Sequence, residues 1–235
     1  MSTIEEITLY QTAPHQCSYR NDQLASTLFV DPELKVTPEI LTYLSQRGFR
    51  RSGEYIYLPN CETCSACIST RLPVTLFTPN RTQKRVWKRN QDLAITLAEP
   101  QFTDEIYDLY QRYIETRHAD GDMHPATKEQ YHSFLVESYV DSFFLEFRLK
   151  RKLVAVAVTD ILTNAYSAVY TFFEPELTQR SLGVYSVLAQ IEHTKKAAFD
   201  HLYLGYWVKQ CRKMNYKLQY RPIELLVNDQ WTLLS

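Results

Sequence analysis

Leu153-Val154-Ala155-Val156-Ala157-Val158-Thr159-Asp160, Ala165–Phe173 and Arg180-Ser181-Leu182-Gly183-Val184-Tyr185 are the segments that decide the fold. The first two are apolar runs of strand length, separated by Leu162-Thr163-Asn164, and Phe143–Leu149 precedes them across Lys150-Arg151-Lys152. Connections that short predict antiparallel hairpins. After Gly183 the apolar positions Val184, Leu188, Ile191 and Ala198 fit a helix to about Phe199, and Leu202–Tyr206 reads as the next strand. Gly183 is one of five glycines in 235 residues and sits where strand gives way to helix. A helix N-terminus presents unpaired N–H groups there, favourable to a ligand's negative charge.

Upstream, Leu93–Leu97 reads as a strand, and Asp104–Arg117 and Lys128–Ser138 as helices with Ile106, Leu109, Tyr110, Tyr131 and Leu135 inward. Between them Arg117-His118-Ala119-Asp120-Gly121-Asp122-Met123 is a polar loop. Downstream, Trp207–Met214 is expected to be a helix and Tyr216–Tyr220 a last strand. Toward the N-terminus the expectations are an irregular segment over 1–16, a strand at Ala25–Val30 and a short helix from Pro38 to Gly48. A hairpin over Phe49–Leu58 turning near Ser52-Gly53, and a strand at Arg71–Phe77, follow. Together these predict an α+β layer sandwich, a mixed, largely antiparallel sheet flanked by helices. Residues 1–78 form a small cysteine-containing region and residues 79–235 the core.

With 45% hydrophobic and 23% charged residues the composition is that of a globular protein. No apolar run approaches the length that spans a bilayer, and Met1–Thr12 lacks an export-signal pattern, so a cytoplasmic location without membrane attachment is expected. Net charge is −1, yet between Leu44 and Asn90 nine Lys/Arg face two acids. Five of the nine, Arg81, Lys84, Arg85, Lys88 and Arg89, recur at helical spacing after Thr78-Pro79-Asn80 and share one face. Like charges on one stripe repel unless a polyanion neutralises them, so phosphate binding is expected, with Arg50-Arg51 in support.

Of five cysteines, Cys61, Cys64 and Cys67 are spaced C-x-x-C-x-x-C, and Cys17 is the natural fourth thiol. This spacing suits a metal ion or cluster; three structural thiols on a loop are the other reading.

The order of elements resembles the acetyltransferase (GNAT) fold, in which the turn before the helix cradles an acyl-CoA pyrophosphate. Tyr185 stands where that motif has a small residue, and its ring is expected to obstruct such a ligand. A wider resemblance is to the aminoacyl-tRNA–protein transferases, which include arginyltransferases and bacterial leucyltransferases. It is carried by Cys17-x-Tyr19, Tyr57-x-Pro59-x-Cys61-x-x-Cys64-x-x-Cys67, Asn80–Asn90, Arg117–Gly121, Tyr170-Thr171-Phe172-Phe173-Glu174-Pro175, Ser181-Leu182-Gly183, and Leu204–Lys217. The compact length looks like the bacterial leucyl branch.

That resemblance implies transfer of an aminoacyl group, leucyl by branch, from charged tRNA to proteins beginning with Asp or Glu, which marks them for degradation. An arginyl donor or an acetyl-CoA-dependent acetyltransferase are the alternatives. The ester is already activated, so no cofactor is required for chemistry, while the family's iron–sulfur cluster or zinc would sit on Cys17, Cys61, Cys64 and Cys67. The basic stripe would hold acceptor-stem phosphates. The Arg180-Ser181-Leu182-Gly183 turn would lie at the ester, with Asp160 or Glu174 as proton acceptor, Tyr170 ordering the amine and Tyr206 lining the substrate site. Arg71, Arg148 and Arg180 are unranked candidates for reading the acceptor carboxylate.

Overall fold

The structure, a computed structural model, describes residues 7–121 and 123–235. The first six residues of the expected irregular segment and Asp122 of the polar loop lie outside it. Instead of being irregular throughout, the N-terminal segment carries β1 (Leu9–Gln11) and β2 (His15–Gln16). They are followed by β3 (Leu24–Ala25), β4 (Thr27–Val30), α1 (Pro38–Gln46), β5 (Arg50–Ser52) and β6 (Tyr55–Pro59). Four of these make a small sheet in the order β1-β4-β6-β5. Thr37 caps α1 by accepting from the Ile40 N–H, and Pro38 fits its first turn. The expected hairpin is present, and its turn requires Gly53, since a Cβ there would meet the Ser133 carbonyl oxygen at 2.3 Å.

The main body follows as β7 (Ile68–Pro73), α2 (Arg81–Arg89), β8 (Leu93–Ala98), α3 (Asp104–Arg117) and α4 (Lys128–Tyr131), the last widening into a π-turn over His132–Val136. Next come β9 (Ser142–Leu149), β10 (Lys152–Ile161), β11 (Ala165–Phe173), α5 (Leu182–Lys196) and β12 (His201–Trp207). The eight-stranded sheet is completed by β13 (Ile223–Val227) and β14 (Gln230–Leu234), in the order β14-β13-β7-β12-β11-β10-β9-β8. Every neighbouring pair is antiparallel except β11 and β12. The expected antiparallel strands β9, β10 and β11 are thus found, in a mixed, largely antiparallel sheet with helices on its faces. Residues from both sides of position 78 contribute to this sheet.

Three expectations near strand ends fail for local reasons. The strand expected at Arg71–Phe77 ends at Pro73, which cannot extend a ladder on its N–H side. Trp207 closes β12 instead of opening a helix, and Arg212–Gln219, including the expected strand residues Tyr216–Gln219, forms 3₁₀ turns. The C-terminal hairpin was not anticipated, although Asn228 and Asp229, both at positive φ, are residues suited to a two-residue turn.

On one face of the sheet α5 and α2 enclose Phe147, Val154, Ala157, Leu188 and Ile191. On the other, α3 and α4 pack Leu109, Tyr110, Ile114 and Leu135 against Phe144, Val156, Val158 and Phe172. Beside them the N-terminal sheet and α1 pack Val30, Leu41, Leu44, Phe49 and Ile56 against Leu162, Ala165 and Tyr203. This second contact is fixed by charge: Arg51 donates to both Asp160 oxygens, at 2.7 and 2.8 Å, with each side chain 2% exposed.

Removing one member strands the other in the interior. Asp160→Ala should therefore cost about 3–5 kcal/mol in urea unfolding, and Arg51→Met with Asp160→Leu should cost less than the single change. A stability within 1 kcal/mol of the unaltered protein for Asp160→Ala would show that the joint does not depend on the pair (about 1 kcal/mol is what an exposed pair would give).

Candidate active site where two parallel strands part

The two parallel strands pair only over Ala165–Ser167 and His201–Tyr203. Beyond Ser167 they separate, leaving backbone groups on their facing edges without a ladder partner. The Arg50 guanidinium enters at that point: it donates to Ser167 Oγ at 2.9 Å and to the Ala168 carbonyl at 2.7 Å. Gly205, at φ +80°, makes room for it, because a Cβ there would lie 3.3 Å from Arg50 Nη2. Lys217, on the 3₁₀ turns after β12, is buried beside it and donates to the Tyr206 carbonyl. Burial, and then the Arg50 charge, push its ammonium down to about 7. The Tyr206 ring is buried, its hydroxyl donating to the Gly48 carbonyl at 2.8 Å, which ties β12 to the end of α1.

Along β11 the Tyr170 ring lies among Tyr110, Tyr113 and Phe134. Its hydroxyl is buried with no hydrogen-bond partner among the described residues, and burial holds its pKa well above the usual tyrosine value. Tyr113 packs on Phe173 at 4.9 Å and on His118 at 5.4 Å, and burial lowers the His118 pKa. The polar loop that carries His118 is tied to the far strand's extension by the Lys213–Asp120 pair at 3.0 Å.

Phe173 leads to the start of α5, where a Cβ on Gly183 would lie 3.1 Å from its ring. Ser181 precedes that helix in the left-handed region, φ 52° and ψ 49°, and its side chain does not cap the first turn. Tyr185 differs from expectation. Its ring is 3% exposed and packs on Trp87 and Phe147 inside the core, so it does not overhang the turn and gives no argument against a pyrophosphate there. Leu182 likewise points into the core.

The basic stripe meets this turn directly. Gln83 and Val86 of α2 face inward while Arg81, Lys84, Arg85, Lys88 and Arg89 are all exposed. A reciprocal Asn80–Gln83 capping box starts the helix. At its other end Arg89 donates to the Gln179 carbonyl and Asn90 Nδ2 to the Arg180 carbonyl at 2.8 Å, while Arg180 grips Asp92 at 2.8 and 2.9 Å. Arg50 and Arg51, expected to extend the phosphate-binding surface, are instead buried and point into the sheet.

The remaining residues singled out in the sequence lie elsewhere or are engaged. Asp160 is held by Arg51, and Glu174 by Arg112 at 3.1 Å and Lys152 at 3.5 Å. Arg71 is bound by Glu224 under Trp231, and Arg148 by Glu105 and Glu146. Sequence reasoning missed Lys217 and the role of Arg50. The available signal was an arginine pair in a short hairpin that Gly48 and Gly53 bracket.

Cys17, Cys61, Cys64 and Cys67 line one small cavity of about 40 Å³ with Tyr19 and Arg20. The Tyr19 N–H donates to Cys17 Sγ at 3.4 Å, and Arg20 Nη1 lies 3.8 Å from Cys64 Sγ. Burial, then the other thiols, push Cys67 up to about 12. An all-sulfur donor set suits a soft metal or iron–sulfur cluster in kind. Among the described residues, however, no three His, Cys, Asp or Glu side chains are arranged to hold an ion.

The profile described as "Arginine-tRNA-protein transferase, C terminus" matches residues 105–227, and its N-terminal counterpart matches residues 15–85. The chain belongs to the arginine-tRNA-protein transferase family. It is 52% identical over 235 residues to an aspartate/glutamate leucyltransferase of Pseudomonas fluorescens, covering 100% of both chains. It is also 52% identical over 234 residues to one from Pseudomonas syringae pv. tomato, again covering both completely. Among solved structures, the C-terminal domain of a putative lysylphosphatidylglycerol synthetase from Agrobacterium fabrum aligns at 13% identity and TM-score 0.46, over 72% of this chain and 52% of that one. A likeness that weak carries no argument. No helix among the described residues is long and apolar enough to cross a membrane.

In this candidate site, Tyr170→Phe removes a buried hydroxyl that has no hydrogen-bond partner among the described residues. Urea unfolding should show unchanged or slightly higher stability; a loss above about 1 kcal/mol would mean that the hydroxyl is hydrogen-bonded.

Proposed function

We propose that this chain transfers leucine from leucyl-tRNA to the α-amine of proteins beginning with Asp or Glu, in the cytoplasm, and so marks them for degradation. The observation that carries it is the join between the basic stripe and the α5 turn, where Asn90 holds the Arg180 carbonyl. An acceptor stem lying on Arg81, Lys84, Arg85, Lys88 and Arg89 would deliver its 3′ end to the uncapped first turn of α5. The names of the curated relatives support leucine as donor and acidic acceptors. The parting parallel strands with a helix starting beside them support a GNAT-like arrangement for residues 79–235.

The chemistry needs no further activation. The acceptor amine, neutral near its ordinary pKa of about 7.7–8.0, attacks the ester carbonyl. The tetrahedral oxyanion collapses, the ester C–O bond breaks, and a proton from the new ammonium ends on the ribose hydroxyl. Unpaired N–H groups at the start of α5 are the donors for the oxyanion, and a fixed pair of reactants removes the entropic cost of encounter. Burial around Tyr170 and Tyr113 keeps the attacking amine from being held as ammonium.

Incubation with leucyl- or arginyl-tRNA and peptides beginning with Asp, Glu or Ala tests this directly. Leucine should be added to the Asp and Glu peptides; addition of arginine alone would reassign the donor, and no transfer from either would reject the reading. Lys84→Glu with Arg85→Glu should weaken tRNA binding more than tenfold and reduce its salt slope by about 1–2. Binding that keeps its full salt dependence would remove the stripe from the tRNA site.

Although no three of them are arranged to hold an ion as they stand, the thiols of Cys17, Cys61, Cys64 and Cys67, in the region 1–78, line one cavity and would hold an iron–sulfur cluster or zinc once their loops closed on it. Anaerobically purified protein should contain stoichiometric metal that Cys64→Ala loses, with a lower melting temperature. Metal-free protein of equal stability would leave the four as structural thiols.

A further inference from the structure

Two buried basic side chains stand at the parting of β11 and β12 with no carboxylate within ion-pair reach among the described residues. Arg51, Arg71, Arg148 and Arg180 each face a carboxylate within ion-pair reach. Arg50, next to Arg51 in the chain and 8% exposed, has none among the described residues; its hydrogen bonds go to the Ser167 hydroxyl and the Ala168 carbonyl. Lys217, 7% exposed, donates to the Tyr206 carbonyl and lies 5.8 Å from the centre of the Tyr216 ring. The groups that act on its charge are Arg50, which disfavours it, and the thiols of Cys67 and Cys211, with no carboxylate within ion-pair reach among the described residues. Carbonyl dipoles satisfy geometry but do not neutralise charge, and two like charges side by side in a low-dielectric setting repel. Such an arrangement favours loss of the Lys217 proton unless something anionic joins it.

We propose that Arg50 and Lys217 form the site that reads the side-chain carboxylate of the acceptor's first residue. This rests on leucyl transfer to acidic N-termini. The two cations reach the parting from opposite elements, β5 and the turns after β12, and Gly205 leaves the guanidinium uncovered by a side chain. Arg50 Nε makes no hydrogen bond among the described residues and remains for a carboxylate oxygen, in the charge-assisted geometry arginine favours. The three arginines that the sequence suggested for this task are each held by an acid of the chain itself. Specificity follows from the unpaired charge. An Asn or Ala side chain would leave the buried Arg50 charge uncompensated and Lys217 without a carboxylate to hold its proton, so they would be rejected more strongly than shape alone allows.

The test compares peptides beginning with Asp, Glu, Asn and Ala, using the full chain and Arg50→Gln and Lys217→Met. Each substitution should lower the Asp-over-Asn ratio of kcat/KM at least tenfold, mainly through KM, while leucyl-tRNA binding stays near the unaltered value; Arg50→Gln, which also gives up bonds to Ser167 and Ala168, should lower the melting temperature more than Lys217→Met. Peptide binding without tRNA should show the same loss of preference. An unchanged Asp-over-Asn ratio in folded protein overturns the proposal, as does loss of metal from the thiols with that ratio intact, which would assign the cations to the sulfurs. If Arg50→Gln does not fold, Lys217→Met and the binding measurement decide alone. If the unaltered protein transfers nothing, the functional reading fails, yet preferential binding of Asp over Asn peptide that Lys217→Met abolishes would still support the site.

Discussion

The structure depends on how a parallel strand pair is allowed to part. Strands that stop pairing after three residues leave N–H and C=O groups that cost free energy if buried alone. Here the N-terminal sheet supplies the remedy. Two consecutive arginines on one short strand reach the large sheet, Arg51 pairing with Asp160 and Arg50 taking the Ala168 carbonyl. Docking of the two sheets and opening of the site are therefore one event. Neither region could present the site alone.

That constraint orders the rest. A row of polar residues crosses the sheet in register, with Asp160 opposite Ser167, Ser167 opposite Tyr203, Tyr203 opposite Arg71 and Arg71 opposite Glu224. Each member finds its partner within the row or in the arginine pair. On the opposite face, α2 and α5 are fastened at the Arg180 turn, so the exposed cationic stripe ends where the uncapped helix begins. Two kinds of positive site result: an outer one, solvated and screened, suited to phosphates, and an inner one, desolvated, suited to a single carboxylate.

Much of the fold was legible because β9, β10, β11 and α5 follow strong local patterns: short turns, apolar runs, and Gly183 at a junction. The basic stripe was legible because helical spacing alone places five cations on one face. Elsewhere local pattern was overruled. Arg212–Gln219 has helix-compatible residues but forms 3₁₀ turns that bring Lys217 under Tyr206, and no periodicity announces that. Asp160 looks like a catalytic carboxylate until its partner, distant in sequence, is seen. Arg50 and Arg51 read as surface charge because arginine usually is. Burial of a charge is a tertiary fact, and single-sequence patterns carry no trace of it.

The central claim is that transfer occurs between the α5 turn and the parting of β11 and β12. The most direct measurement is a structure of the protein with a non-hydrolysable 3′-amide analogue of leucyl-adenosine and a peptide beginning with Asp. The account predicts the leucyl carbonyl within hydrogen-bonding distance of the first backbone N–H groups of α5, and the peptide amine beside Tyr170. A leucyl group bound away from both elements, for example beyond the β8 edge of the sheet, would contradict it.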